Sequence, residues 1–282
     1  VTILEVIQRT AGFLAKRGVD SPRLQVELLL AHVLRLPRMQ LYLNFERNLT
    51  EAEAGRLRPL VKRRAEREPL QHIIGSTSFC GLEITVNRHV LVPRPETELL
   101  AELAAKFLST VSRQPSTVLD FGTGSGCLAV TLAQKFPGAE VHGLDISPEA
   151  LAVAQANAAQ HQTPVRFHLG DGFAALPAKM NFDLILSNPP YIAAAEIETL
   201  EPEVRDFDPR LALDGGLDGL SFYRRLAAEA GAWLKPAGKL MTEFGDDQAG
   251  RVQSIFGQCS WKIEAVEKDL SGRERVLVAR RF

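Results

Sequence analysis

Cysteine is scarce in this chain: Cys80, Cys127 and Cys259 stand alone, odd in number and without a Cys-x-x-Cys pair. That spacing argues against a disulfide framework and a zinc ribbon, and points to a reducing compartment. Long apolar runs are missing too. Stretches such as residues 28–30 and 184–186 fall far short of the ~20 residues that cross a bilayer. No basic stretch followed by an apolar run opens the sequence, so the expectation is a cytoplasmic protein without a secretory leader or a membrane partner. The six histidines form no His-x-x-x-His pattern, and no metal site is expected. Charge bias is also absent, with a net charge of −1 over 282 residues. What remains is ordinary globular material, 45% hydrophobic and 24% charged. Its length suits one large domain or two of usual size.

The charge is nevertheless placed unevenly. Residues 1–75 hold 13 Lys and Arg against 8 Asp and Glu, whereas residues 76–282 hold 20 against 26. The larger, acidic part lacks the basic character of a nucleic-acid-binding domain, so no direct nucleic-acid contact is expected. Lys62-Arg63-Arg64 reads as a solvated helix face, because Glu66 and Glu68 follow it closely.

The pattern predicts a helical bundle over residues 1–75. Ile3, Ile7, Ala11 and Leu14 recur at helical spacing before Gly18; Ser21-Pro22 opens a second helix, with Leu24, Leu28 and His32 on one face. Thr50 and Glu53 have the spacing of a capping box, and the helix they open is expected to run to Pro69. Residues 76–93 alternate and are β-rich, which predicts a hairpin linker turning at Asn87-Arg88. Residues 94–282 repeat helix, strand and turn, with strands expected over 117–120, 140–144, 165–169, 182–187, 239–244, 262–268 and 276–280. Helical crossovers between the early strands imply a parallel sheet, and the last two strands an antiparallel edge hairpin. The fold class is therefore α/β: a Rossmann-like, seven-stranded, mostly parallel sheet behind a small α-helical bundle and a β-hairpin.

Three segments carry chemistry. The first strand runs into Gly122-Thr123-Gly124-Ser125-Gly126 and then a helix, a turn through which a backbone can approach a ligand. Asp145 ends the next strand, where an acid can hold a ribose diol; it could also cap the helix opening at Pro148. After the third strand, Asp171-Gly172-Phe173 offers a hydrogen-bond acceptor beside an adenine, or simply an Asp-Gly turn. Most specific is Asn188-Pro189-Pro190-Tyr191 at the end of the fourth strand. Two prolines fix the turn and contribute no N–H groups, so it presents two acceptors, the Asn188 side-chain oxygen and the Pro189 carbonyl. Such a pair suits an –NH₂ group, and the Tyr191 ring could pack on a flat substrate. The same turn could also serve only as a rigid strand end.

Together these segments resemble the class I methyltransferases, and within them the glutamine methyltransferases of peptide chain release factors, the HemK/PrmC type. The likeness extends to Glu68-Pro69-Leu70-Gln71, Ile74-Gly75, the run from Val92 to Glu98, Ile192 and Gly215-Gly216-Leu217-Asp218-Gly219-Leu220. It implies S-adenosylmethionine as cofactor, with S-adenosylhomocysteine as product, held by residues 122–126, Asp145, Asp171, Gly172, Phe173 and Asn188. It implies catalysis at Asn188, Pro189 and Tyr191 on a substrate also touched by Pro190. Arg94, Glu96 and Thr97 are placed on an active-site wall by the resemblance, with a proline-led helix start carrying acids in its first turn as the plainer reading. The implied substrate is the glutamine of the Gly-Gly-Gln loop of class 1 peptide chain release factors, docked by residues 1–75 of a monomer, which would tune translation termination. A ribosomal-protein glutamine methyltransferase and a nucleic-acid base amino-methyltransferase share these motifs and remain open on the residues alone.

Overall fold

The computed structural model describes residues 1–111 and 115–282. They form two compact units, Val1–Ser76 with Glu201–Phe207, and Thr77–Leu200 with Asp208–Phe282.

In the first unit α1 (Ile3–Ala15), α2 (Pro22–Leu34), α3 (Arg38–Tyr42), α4 (Glu51–Ala65) and α5 (Leu70–Ile74) enclose a core that includes Ile3, Ile7, Val26, Leu29, Leu30 and Leu57. Capping boxes open α1 at Thr2/Glu5 and α4 at Thr50/Glu53. The buried side of α2 is not the expected one: Val26, Leu29, Leu30 and Val33 are inside, while Leu24 and His32 are exposed. With apolar residues all round its circumference, α2 carries little periodicity to orient it. Helix α4 stops at Ala65, four residues before Pro69. Arg67 is left-handed (φ 69°), and Glu68 N–H reaches back to Arg63 O at 3.2 Å, the chain reversal of a helix C-terminus. Arg64 also departs from the solvated-face reading. It is 3% exposed, and its guanidinium is taken by Gln25, by Glu68 O at 3.2 Å and by Glu203 of α9 (Pro202–Arg205) at 2.6 Å.

A hairpin follows, β1 (Ser76–Phe79) and β2 (Leu82–Thr85). Its turn is Cys80-Gly81, not Asn87-Arg88; both turn residues have positive φ (48° and 80°), as the twist of a two-residue hairpin demands. The second unit continues with α6 (Pro95–Leu108), β3 (Thr117–Phe121), α7 (Cys127–Lys135), β4 (Glu140–Asp145), α8 (Pro148–Gln160), β5 (Val165–Leu169) and β6 (Phe182–Ser187). It ends with α10 (Ser221–Glu229), β7 (Leu234–Glu243), α11 (Ala249–Gln258), β8 (Trp261–Lys268) and β9 (Glu274–Arg281). Seven strands lie in the order β5-β4-β3-β6-β7-β9-β8. The first five pair in parallel, and β9 runs antiparallel between β7 and β8. Strand β7 starts at Leu234, ahead of the expected 239, because Lys235-Pro236-Ala237-Gly238 breaks the alternation without ending the strand. Strand order reverses at β3, between β4 and β6, and in such sheets the crevice at the carboxyl ends beside the reversal receives ligands.

Candidate active site

At that crevice lies a cavity of about 220 Å³, and Gly124, Asp145, Asp171, Thr97 and Asn188 all contribute to its wall. The β3–α7 turn builds one end. Gly122 and Thr123 N–H both donate to Leu144 O, at 2.8 and 2.9 Å, which ties the turn to β4. Gly124 (φ 54°) is left-handed, and a Cβ there would meet nothing within 4 Å, so its backbone faces open space. Asp145 Oδ2 accepts from Gly124 N–H at 2.8 Å and Oδ1 from Ser147 N–H at 3.0 Å. The cap of α8 is Ser147, whose Oγ accepts from Ala150 N–H at 3.1 Å, so Asp145 is not needed for capping. Both Asp145 oxygens keep a further lone pair, as a vicinal diol would require.

Behind the turn, Asp120 is 1% exposed and accepts from Thr123 Oγ1 at 2.7 Å. Burial pushes its carboxyl up to about 7, despite the hydrogen bond from Thr123. Its local signal is an acid one residue from the end of an otherwise apolar strand.

Asp171 and Gly172 reach the same cavity, and so does Arg225 of α10. Arg225 grips the Asp171 carboxylate and donates to its carbonyl at 2.9 Å. A Cβ at Gly172 would fall on the Arg225 guanidinium, which fills the place a larger side chain would occupy. Arg225 lies 54 residues from its partner and had no local sequence signal. Phe173 is not among the lining residues: it is 2% exposed and packs between Phe121 and Trp233, supporting the wall from within the core.

The Asn-Pro-Pro-Tyr turn forms the other end. Asn188 and Pro190 line the cavity, whereas Pro189 is buried and Tyr191 packs beside Gly245, away from the lining. Asn188 Nδ2 donates to Thr97 Oγ1 at 2.9 Å. Gly215 and Gly219 back the turn closely. A Cβ at Gly215 would sit 2.9 Å from Pro190 O, and one at Gly219 would sit 2.3 Å from Tyr191 O. Ile192 and Gly215 exchange backbone hydrogen bonds with this segment, from Ile192 N–H to Leu213 O (3.0 Å) and from Gly215 N–H to Ile192 O (2.8 Å). Arg94 and Thr97 line the cavity from α6 and its start; Glu96 is exposed and does not. Arg94 is held by buried Asp208 at 2.9 Å, and burial pushes the Asp208 carboxyl up to about 6. The donors and acceptors present fit S-adenosylmethionine: an open glycine backbone, a carboxylate with spare lone pairs, and an apolar wall from Phe121, Leu144 and Ile146.

The PrmC N-terminal domain family matches residues 5–75, and the methyltransferase small domain family matches residues 99–206. A release factor glutamine methyltransferase of Geobacter sulfurreducens is 45% identical over 281 residues, covering 99% of this chain and 96% of the relative. Those of Chlorobaculum tepidum (40% identical, 94% and 93% covered) and Deinococcus radiodurans (42%, 98% and 98%) are alike over similar lengths. Among solved structures, a ribosomal protein L11 methylase of Lactobacillus delbrueckii subsp. bulgaricus shares the fold. Its TM-score is 0.51 at 22% identity, covering 70% of this chain and 84% of that one. Matched by full-length relatives and by the PrmC N-terminal domain family, the chain belongs to the release factor glutamine methyltransferases, S-adenosylmethionine-dependent enzymes of the class I fold.

Proposed function

We propose that this chain methylates the side-chain amide nitrogen of the glutamine in the Gly-Gly-Gln loop of class 1 peptide chain release factors, with Asn188 and the Pro189 carbonyl receiving the two amide N–H groups. The observation that carries the residue-level reading is the orientation of Asn188. Its Nδ2 is engaged by Thr97, which leaves Oδ1 as the acceptor beside the cavity. Residues 122–126 and Asp145 would hold S-adenosylmethionine, with Asp171 at the adenine. The cofactor supplies an electrophilic methyl group on its sulfonium sulfur and leaves as S-adenosylhomocysteine.

An amide nitrogen is a weak nucleophile because its lone pair is delocalised into the carbonyl. Two acceptors on its N–H bonds fix the nitrogen in place and favour the positive charge that develops on it. They are preorganised, since the prolines fix the backbone and Thr97 fixes the amide. The surplus N–H proton passes to water after the new N–C bond has formed. Docking of the release factor is assigned to residues 1–75, whose positive surplus suits an acidic partner surface. The reading needs one copy of the chain and places the reaction in the cytoplasm.

Asn188→Ala tests it. Loss of one preorganised hydrogen bond is expected to cost about 10²–10³ in single-turnover methyl transfer to intact release factor. Asn188→Asp, which keeps an acceptor, should fall less, and S-adenosylhomocysteine affinity should hardly change in either variant. Near-normal turnover in the alanine variant would reduce the turn to a scaffold.

A further inference from the structure

Two arginines line the cavity, Arg94 and Arg225, and their circumstances differ. The Arg225 guanidinium is taken up by Asp171, through both its carboxylate and its carbonyl, and Glu229 stands 3.4 Å away. Among the described residues Arg94 donates a single side-chain hydrogen bond, from Nη2 to Asp208 Oδ2 at 2.9 Å. A guanidinium has five N–H donors, so most of those on Arg94 remain unused. The pair is also unequally placed. The Asp208 side chain is 1% exposed and does not line the cavity, whereas that of Arg94 is 39% exposed and does. A ligand in the cavity therefore meets the cation and not its buried counter-ion.

The sheet order fixes which part of the ligand that is. Asp171, Asp145 and Asn188 follow the carboxyl ends of β5, β4 and β6, with the glycine turn after β3 between the last two. Arg94 belongs to the Asn188 end: it is the N-cap of α6, which packs against β6 and β7, and Thr97 of that helix accepts from Asn188 Nδ2 at 2.9 Å. With adenine at Asp171, ribose at Asp145 and sulfur beside Asn188, the amino-acid portion of S-adenosylmethionine continues past the sulfur towards this end. Its carboxylate is the one anionic group of the molecule. The glutamine side chain of the substrate is uncharged and makes no comparable demand on a cation. We infer that Arg94, held in place by Asp208, binds the α-carboxylate of the cofactor's methionyl group through charge-assisted hydrogen bonds. This rests on the placement of the cofactor with its sulfur beside Asn188.

Calorimetry on the full-length protein with two ligands tests it: S-adenosylhomocysteine, and its decarboxylated analogue, which keeps the adenine, ribose, sulfur and amino group. The parent should bind S-adenosylhomocysteine roughly ten- to a hundredfold more tightly than the analogue. Arg94→Ala should bring S-adenosylhomocysteine down to the analogue's affinity while the analogue binds as it does to the parent, which also reports an intact fold. Because that change leaves buried Asp208 without the guanidinium, Arg94→Ala combined with Asp208→Asn is measured beside it, and equal affinities for the two ligands are expected again. Arg94→Lys, a point charge without the planar fork, should keep part of the preference.

A parent that binds both ligands equally, or full discrimination in the double variant, would overturn the inference. Asp145→Ala tells its failure from that of the cofactor placement, since loss of the ribose contact should weaken both ligands alike. If Asp145→Ala weakens both and Arg94→Ala weakens neither, the carboxylate contact alone fails. If Asp145→Ala weakens neither, the placement fails and the inference with it.

Discussion

Arg64 on α4 and Glu203 on α9 are 139 residues apart in sequence and meet at 2.6 Å. Arg67 grips the same carboxylate through Nε and Nη2, each at 2.6 Å. Glu203→Ala would strip one acceptor from two guanidinium groups at once. Removing one partner of a buried pair costs about 3–5 kcal/mol. Arg64 retains Gln25 and Glu68 O, and the Glu203 side chain is 20% exposed, so about 2 kcal/mol is expected. Urea unfolding of the full chain measures it, with Glu203→Gln falling between the parent and alanine. Parent-like stability of the alanine variant would show that the remaining bonds suffice.

Two imidazoles make the second unit sensitive to acid. His142 Nδ1 and His168 Nε2 are 2.8 Å apart across β4 and β5, and their hydrogen bond requires that one ring nitrogen be unprotonated. Burial, and then the His168 charge, lower His142 from 6.5 to about 4. The folded chain therefore binds fewer protons than the unfolded one. The stabilisation is complete above about pH 6.5 and drains away as pH falls towards 4. At about 1.4 kcal/mol per unit, the loss over that window is about 3.5 kcal/mol at most. His142→Leu should flatten the slope of stability against pH there, and equal slopes for the two proteins would exclude the histidine pair as its source.

Asp145→Ala addresses the ribose. Charge-assisted hydrogen bonds worth about 1.5–3 kcal/mol should go with the carboxylate. Calorimetric titration with S-adenosylhomocysteine should then show affinity down by roughly ten- to a hundredfold. An unchanged dissociation constant would leave Asp145 with only its two backbone bonds, a purely local role.

At the adenine end, Asp171→Ala should weaken S-adenosylhomocysteine by roughly three- to tenfold, the worth of one hydrogen bond. The analogue with hypoxanthine in place of adenine has no amino group to donate. It should bind parent and variant alike, and an equal penalty for both ligands would assign Asp171 to holding Arg225 instead.

Local signals in the sequence were readable where local interactions decide the structure. The Thr50/Glu53 box and the Ser21-Pro22 start both open helices, and a strand with a glycine turn and a helix does follow Thr117. Distant partners decided the departures. Arg64 reads as solvated because its acceptor Glu203 arrives from far along the chain, and nothing near Asp171 in sequence points to Arg225 for the same reason. The sequence points to the wrong hairpin turn because Cys80-Gly81 is a weaker turn signal than Asn87, whose Oδ1 accepts from His89 N–H at 2.9 Å in a separate local turn. At the site, the residue types on the turn are legible, but Thr97 becomes the partner of the Asn188 amide only once the fold brings α6 beside the turn.

The short segment Glu201–Phe207, which joins the helical unit from within the methyltransferase portion, bears on how such a gene can be reshuffled. A single crossover near codon 76 would carry Arg64 and Arg67 into a background whose residues 201 and 203 came from another parent. Chimeras exchanged at that one junction would lose these pairs wherever the second parent lacks an acid at 201 or 203, whereas exchanging the seven-codon segment along with it keeps the pairing. The exchangeable module is thus discontinuous, because Arg64 and Arg67 take their acceptors from residues more than a hundred positions downstream.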